Sequence, residues 1–269
     1  MPMKHAIQRP ETLTVDRDGR GVVRLTINRP EIRNAFDGTL IGDLTATLEG
    51  LAADDGIRAL VLTGAGAAFS AGAELGWMRA SAEQGDHENF QDALRLAGLM
   101  KRLDDMPMPT IARVNGAAMG GGVGLTACCD MAIASEAAVF ALSEVKLGII
   151  PGAISPYVLR AIGPRNARRY FLTGERFDAA AARDIGLVHE VVPAGRLDAA
   201  VDDLVDELLA AGPKAVRAAK DLIAHVAFRE IDDLLIRDTA QRIAGQRAGD
   251  EAKDGLGAFL EKRKPGWIA

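Results

Sequence analysis

The 269-residue sequence has little of several features that mark particular classes of protein. Aromatic residues make up 4% of it, too few for the stacking platforms that bind single-stranded nucleic acid. The formal net charge is −5, from 32 basic and 37 acidic residues, so the basic footprint of a nucleic-acid-binding protein is missing. No apolar run reaches the roughly 18 residues that cross a bilayer. The sequence therefore predicts a soluble protein with no nucleic-acid or membrane partner.

Targeting signals and metal ligands are equally scarce. Residues 1–5, MPMKH, lack the apolar core of a signal peptide. The two cysteines, Cys128 and Cys129, are neighbours in an apolar predicted helix, where they face different ways and indicate small core residues of a reducing compartment. We therefore expect a cytoplasmic protein. We expect no metal site, because metal-ligand spacing is absent among the four histidines, His5, His87, His189 and His225.

Glycine, by contrast, is abundant and clustered. Gly120, Gly121 and Gly122 follow a predicted buried strand at residues 110–114 and precede an apolar run at residues 123–129 that is typical of a helix. A glycine turn that leads into a helix directs free N–H groups and the positive end of the helix dipole into the space before it. Close packing is the alternative, but three glycines plus Gly124 cost more helix propensity than packing alone justifies. The pattern favours a site for an oxygen that carries negative charge.

A second glycine loop, GAGAAFSAGAEL at residues 64–75, follows a continuous apolar strand at residues 57–63 that is typical of a sheet buried on both faces. A dinucleotide fingerprint is the rival interpretation, but Phe69 stands where its third glycine belongs. No glycine-rich loop ends in Lys-Ser or Lys-Thr, so nucleoside triphosphate chemistry has no support. Two strand–loop–helix junctions can face one another across a cleft, and together they would supply a pair of N–H donors.

Glu144 is the leading candidate for acid–base chemistry. It is the one acid in a mostly apolar segment, and such surroundings raise the pKa of a carboxyl group towards neutrality, where a general acid or base works best. The alternative is a solvated acid at a helix end, paired with Lys146. Ser70 and Ser143 are minor candidates for a nucleophile, because no Gly-x-Ser-x-Gly elbow is present.

The rest of the sequence predicts an α/β core at residues 1–196 and a C-terminal helical region at residues 197–269 that serves oligomerisation. Asp37 is a good N-cap for the helix after it, and Asp130 is expected to cap or anchor the strand after the apolar helix at residues 123–129. Other predicted elements are a hairpin at residues 12–15 and 22–27, helices at 38–53 and 88–104, a strand at 187–192, and helix breaks at 212–213, near Arg229, and around Gly249 and Gly255.

Three motifs, in this order, resemble the enoyl-CoA hydratase/isomerase (crotonase) family. They are FSAGAEL at residues 69–75, NGAAMGGG at 115–122, and Glu144 with LGIIPG at 147–152. The resemblance is collinear from residues 28–30 to residues 258–263. It implies an α/β fold built as a spiral of β-β-α turns, an acyl-CoA thioester as substrate with no separate cofactor, and a homotrimer or homohexamer.

The resemblance also assigns roles to residues. The backbone N–H groups of Ala73 and Gly121 would form an oxyanion hole around the thioester oxygen, and Glu144 would be the catalytic acid and base. Residues that would bind substrate, with the last two often coming from a neighbouring subunit, are Arg33, Ala71, Gly72, Glu74, Gly120, Gly124, Phe259 and Lys262.

One position departs from the family pattern. Typical hydratases have a first glutamate where this chain has Gly124, so Glu144 would act alone or with help from water, a substrate group or Glu74. A hydratase, a double-bond isomerase and a non-catalytic acyl-CoA-binding scaffold therefore all stay open. Segments 74–78, 128–133 and 142–148 resemble bacterial methylglutaconyl-CoA hydratases of leucine degradation and their terpenoid-degrading relatives, which favours the hydratase. A distal carboxylate on such a substrate would need a cation, for which the candidates are Arg79, Lys146 and Arg160.

Overall fold

Ten strands and ten helices form the part of the chain that the computed structural model describes, residues 11–268. His5 and the rest of residues 1–5, in which the sequence predicts no signal peptide, lie outside these residues. No helix within 11–268 is both long and apolar enough to cross a membrane. The strands are β1 (Leu13–Arg17), β2 (Val22–Ile27), β3 (Ala59–Gly64), β4 (Ala68–Ser70), β5 (Thr110–Val114), β6 (Ala117–Met119), β7 (Met131–Ser135), β8 (Val139–Ala141), β9 (Arg176–Asp178) and β10 (Glu190–Val192).

The helices lie between and after these strands. They are α1 (Gly38–Ala52), α2 (Leu75–Ala82), α3 (Asp86–Asp104), α4 (Gly121–Cys128), α5 (Ser155–Thr173), α6 (Ala179–Asp184), α7 (Leu197–Ala210), α8 (Pro213–Val226), α9 (Asp233–Ala248) and α10 (Asp250–Glu261).

The strands form two sheets that the chain visits alternately. The larger sheet has the order β1-β2-β3-β5-β7-β10 and the smaller one the order β4-β6-β8-β9. The links from β3 to β4, β5 to β6 and β7 to β8 are only a few residues long. A parallel neighbour in the same sheet needs a crossover of about a dozen residues, so each short link passes to the other sheet. A helix then returns the chain for the next turn. This repetition confirms the predicted spiral of β-β-α turns.

The larger sheet is covered on both faces. All six residues of β3 are buried, as the continuous apolar run predicts. Leu44 of α1 and Leu99 of α3 belong to the main core on one side, while Val201 of α7 packs with β-strand residues such as Val61 on the other. Because α7 covers the sheet, it is part of the core, and the assignment of residues 197–269 to oligomerisation stays a prediction.

Several element boundaries differ from the sequence prediction. Helix α2 is an addition, and α4 begins at Gly121, two residues before the apolar run. The predicted break around Gly255 is wrong, because α10 continues through that residue. A Cβ there would lie 2.7 Å from Cη2 of Trp267, so the glycine makes room for an indole ring. Asp37 caps α1 as predicted, accepting a hydrogen bond of 2.8 Å from Leu40 N.

Candidate active site

Three loops meet at one edge of the smaller sheet. Strands β4, β6 and β8 are adjacent and parallel, so their carboxyl ends lie side by side. The chain leaves these ends into loops that contain Ala73, Gly121 and Glu144, each within three residues of the end of its strand. The topology therefore brings together the three residues to which the sequence assigns the chemistry.

Close backbone contacts hold these loops against one another. Gly72 has φ of 86°, and a Cβ on it would lie 3.0 Å from the carbonyl oxygen of Met119 at the end of β6. Gly120 N donates a hydrogen bond of 2.9 Å to Ala141 O at the end of β8. Gly122 would place a Cβ 2.8 Å from Ser70 O. Glycine is required here because the backbones themselves are in contact.

The N–H group of Ala73 points away from Phe36. Phe36 pairs with this segment in a parallel bridge, in which Phe36 N donates to Gly72 O and Glu74 N donates to Phe36 O, both at 2.7 Å. The peptide between Gly72 and Ala73 is planar and trans, so its N–H points opposite to a carbonyl that already faces Phe36. Within residues 11–268 this N–H has no acceptor.

The N–H group of Gly121 also lacks an acceptor among residues 11–268, for a related reason. Gly121 is the first residue of α4, and the carbonyl of Gly120 before it accepts a hydrogen bond of 3.1 Å from Gly124 N. Since that carbonyl points along the helix, the N–H of the same peptide points out of its N-terminus. The positive end of the helix dipole lies at this point. Two loops thus present one N–H donor each.

Glu144 begins a short 3₁₀ helix, Glu144–Leu147, directly after β8. Its Oε2 is buried and has no hydrogen-bond partner among residues 11–268, and its Oε1 lies 3.1 Å from the position of a Cβ on Gly120. Burial raises the pKa of this carboxyl group, and only its own backbone N–H acts in the opposite direction. The direction of the shift is the one that the sequence predicts. Lys146 forms no ion pair with Glu144 in the described part of the chain; its Cε lies 3.2 Å from the Cβ position of Gly174.

Other candidate residues have structural partners. Ser70 is fully buried and its hydroxyl donates to Asn34 O at 2.8 Å, which leaves it no role as a nucleophile. Glu74 caps α2 by accepting from Trp77 N at 2.7 Å, and hydrogen bonds from the backbone N–H groups of Gly76 and Trp77 lower its pKa. Asp130, predicted to cap or anchor the strand after α4, lies directly before that strand, β7, and its Oδ2 accepts from Thr110 N at the start of the neighbouring β5 at 2.8 Å.

Four of the residues predicted to bind the CoA part of the substrate fall into two groups. Arg33 and Ala71 are brought together, since Ala71 N donates to Arg33 O at 2.9 Å, and the Arg33 side chain is exposed. Phe259 and Lys262 are also exposed, but α10 is followed by a tail in which Trp267 O accepts from Arg58 at the start of β3. The glycine loop at residues 64–75 follows the opposite end of β3. Contact of Phe259 and Lys262 with an acyl-CoA therefore stays a prediction.

At Gly124 the structure gives a reason for the missing acid. A Cβ at this position would lie 2.3 Å from Cγ2 of Ile154 and 3.2 Å from Sδ of Met100, both of which are buried. No side chain fits there without displacing Ile154. Ile154 was not singled out from the sequence, because its contact with Gly124 spans 30 residues and leaves no local signal.

Two outward N–H donors beside a desolvated carboxyl group can polarise a carbonyl and move a proton next to it. The family described as enoyl-CoA hydratase/isomerase matches residues 17–269, and the chain belongs to that family. It is an enzyme of the hydratase type.

Individual relatives cover nearly the whole chain. A crystal structure of an enoyl-CoA hydratase from Shewanella pealeana is 43% identical, covers 97% of each chain and has a TM-score of 0.92. The structure of Pseudomonas aeruginosa AtuE is 36% identical with a TM-score of 0.92, covering 96% of this chain and 100% of AtuE. An enoyl-CoA isomerase/hydratase from Mycosarcoma maydis is 34% identical over 91% of this chain and 92% of its own length.

Proposed function

We propose that this protein adds water across the double bond of a 2-enoyl-CoA thioester without a separate cofactor. One observation carries the proposal. The ends of three adjacent parallel strands present the backbone N–H groups of Ala73 and Gly121 next to a carboxyl oxygen of Glu144, and none of the three has a hydrogen-bond partner among residues 11–268. The two N–H donors can stabilise a thioester oxygen that gains negative charge, and the carboxylate can accept the proton that a water molecule loses.

In the proposed reaction the thioester carbonyl accepts hydrogen bonds from Ala73 N and Gly121 N, which draws electrons from the conjugated double bond. Glu144, as the carboxylate, takes a proton from water while the water oxygen bonds to C3, and the electrons of the double bond move to the enolate oxygen. The protonated Glu144 then gives its proton to C2. One donor of such an oxyanion hole is worth about 3 kcal/mol, and burial raises the pKa of Glu144, which makes its carboxylate a stronger base towards the attacking water.

A double-bond isomerase is the second candidate, and one observation favours it. Ile154 and Met100 fill the space over Gly124, so Glu144 has no second acid at that position. A single carboxyl group can carry a proton between C2 and C4 of an enoyl-CoA. The name of the Mycosarcoma maydis relative includes both activities. A scaffold that binds acyl-CoA without reaction has no observation in its favour.

The acyl group is proposed to be branched and to carry a distal carboxylate, as in 3-methylglutaconyl-CoA. Arg160 is a poor partner for that carboxylate, because it already pairs with Asp104 at 3.1 Å. Arg79 and Lys146 form no ion pair among residues 11–268 and are the better candidates. We prefer Arg79, because α2, on which it lies, begins two residues after Ala73.

The active unit is proposed to be a homotrimer or homohexamer in the cytoplasm. Large apolar side chains are exposed on the C-terminal helices, and burying them against other subunits would remove them from water. Subunit contact would also let Phe259 and Lys262 approach the acyl-CoA of a neighbour. The exposed apolar residues include Ile223, Leu234, Ile243, Leu256, Phe259 and Leu260.

The test is incubation of the pure protein with crotonyl-CoA, 3-methylglutaconyl-CoA and a 3-enoyl-CoA, followed by mass analysis of the products. We expect a gain of one water that is lost in Glu144→Gln. Glu136→Gln, a change at an exposed acid after β7, is the matched control and should keep full activity. Rearrangement without a change of mass would favour the isomerase, and tight binding with no product from any substrate would favour the scaffold.

A further inference from the structure

Ile154 occupies a place in the site that no other side chain can share. Its Cγ2 lies 2.3 Å, and its Cβ 2.9 Å, from where a Cβ on Gly124 would stand. Only 2% of Ile154 is exposed, and Met100 of α3, fully buried, closes the same space from another side. The Ile154 side chain thus packs over the first turns of α4, in the space that Met100 also borders.

Glu144 lies against the N-terminus of the same helix. Gly124 N donates to Gly120 O, so Gly120, the N-cap of α4, and Gly124 enclose the first turn of that helix. Glu144 Oε1 lies 3.1 Å from the Cβ position of Gly120. The 3₁₀ helix of Glu144 also packs on α5, which begins directly after Ile154. Ile154 and Glu144 therefore both pack against the first turn of α4, Ile154 at Gly124 and Glu144 at Gly120.

No charged side chain accounts for the environment of this carboxyl group. Residues 121–128 of α4 include no titratable group other than Cys128, whose thiol is buried beside Met100. On the 3₁₀ helix, Lys146 lies against Gly174. On α5, Arg160 pairs with Asp104 and lies over the ring of Tyr157. Further along α5, Arg169 pairs with Glu175, while Arg165 and Arg168 lie two turns or more beyond Ile154.

We propose that Ile154 is a positioning residue: its side chain closes the α4 side of Glu144 to water and to any second polar group, so that one carboxyl group meets the substrate alone. The catalytic consequence rests on the proposed function, whereas the exclusion of water does not. With its Oε2 buried and unpartnered, Glu144 keeps a raised pKa for as long as this wall is in place.

The experiment compares Ile154→Ala, which removes Cγ2, with Ile154→Val, which retains it. Each protein is labelled with ¹³C at the glutamate carboxyl carbon, and Glu144 is assigned by difference from a Glu144→Gln version. Titration by NMR then reports this carboxyl group whether or not the protein turns over. We expect the midpoint of Ile154→Ala to move down towards that of an ordinary carboxyl group and the midpoint of Ile154→Val to stay near wild type. The acid limb of the kcat/KM profile should move by the same amount.

An unchanged Glu144 midpoint in folded Ile154→Ala would overturn the proposal. A lowered midpoint in a protein that hydrates no enoyl-CoA would support the wall and refute the proposed function, so the two failures are distinguishable. Should Ile154→Ala fold poorly, Gly124→Ala in the otherwise unchanged protein provides a second measurement. Its new Cβ would lie 2.3 Å from Cγ2 of Ile154 and would displace that side chain, so Gly124→Ala should lower both Tm and the titration midpoint of Glu144. A lowered Tm with an unchanged Glu144 midpoint would also overturn the proposal.

Discussion

Replacing Gly72 by alanine tests whether the contact between the two loops sets the catalytic rate. Gly72 lies at φ of 86°, where an L-residue costs about 1–2 kcal/mol. The new Cβ would meet Met119 O at 3.0 Å, and the Gly72 carbonyl is held by Phe36 N at 2.7 Å. The peptide that carries the Ala73 N–H is therefore constrained on both sides, and any relief of the contact rotates that N–H away from the substrate oxygen.

The expected losses of stability and of catalytic rate follow from the backbone strain at residue 72 and from the displaced Ala73 N–H group. Strain alone should lower the free energy of unfolding by about 1–3 kcal/mol, and loss of one oxyanion donor should lower kcat about 100-fold or more. Enoyl-CoA absorbance measures the rate and urea unfolding measures the stability. Gly42→Ala in α1 is the matched control, because a Cβ there meets nothing within 4 Å. It should leave kcat unchanged and stabilise the protein by about 0.5–1 kcal/mol. A folded Gly72→Ala protein with wild-type kcat would refute the reasoning.

Three further predictions follow from burial and side-chain packing. Because burial raises the pKa of Glu144, ionisation of this group destabilises the native protein once pH rises above the carboxyl pKa of the unfolded chain. Glu144→Gln should therefore have a higher Tm than wild type at pH 7 and should lose that advantage as pH falls below 4.5. A higher Tm that persists in acid would contradict this. Burial raises the pKa of Cys129 to about 12 and that of Cys128 well above its ordinary value. A thiol reagent at pH 8 should therefore label neither cysteine in the native protein and both after unfolding. Fast labelling of the native protein would refute the burial of these thiols. Gly255→Val should displace Trp267, break the 3.0 Å hydrogen bond from its Nε1 to Ala210 O and shift the tryptophan fluorescence. Gly245→Ala is the control and should leave the fluorescence unchanged, because a Cβ there meets nothing within 4 Å. An unchanged spectrum for Gly255→Val would contradict the contact.

The sequence predicts the local parts of the site well, because glycine has a physical cost that needs a reason. The triplet at Gly120 and the loop at residues 64–75 both lie beside strand ends, and the structure shows both as places of backbone contact. The isolated acid, Glu144, is half-buried, and its Oε2 is shielded from water, which raises its pKa in the predicted direction. Each of these inferences uses residues that are close in sequence, where propensity and burial pattern act directly.

What the sequence cannot give is the pairing of distant segments. The wall that Ile154 forms over Gly124 depends on packing between a loop and a helix 30 residues apart, and nothing in either segment alone indicates it. At Gly255 the sequence predicts a helix break that the structure does not contain. Its low helix propensity predicts a break, but the space it leaves is filled by Trp267, and this tertiary contact outweighs the local cost.

The arrangement also explains why one side chain is enough for the proposed chemistry. The oxyanion donors are backbone N–H groups, which do not titrate, and their positions are fixed by contacts between loops. Glu74, the other nearby acid, has its pKa lowered by hydrogen bonds from the start of α2, so it stays ionised as pH falls towards the range in which Glu144 takes up a proton. The acid limb of a pH–rate profile should therefore report Glu144 alone. An acid limb with two protons in place of one would mean that a second group joins the reaction, and the single-carboxyl mechanism would have to be abandoned.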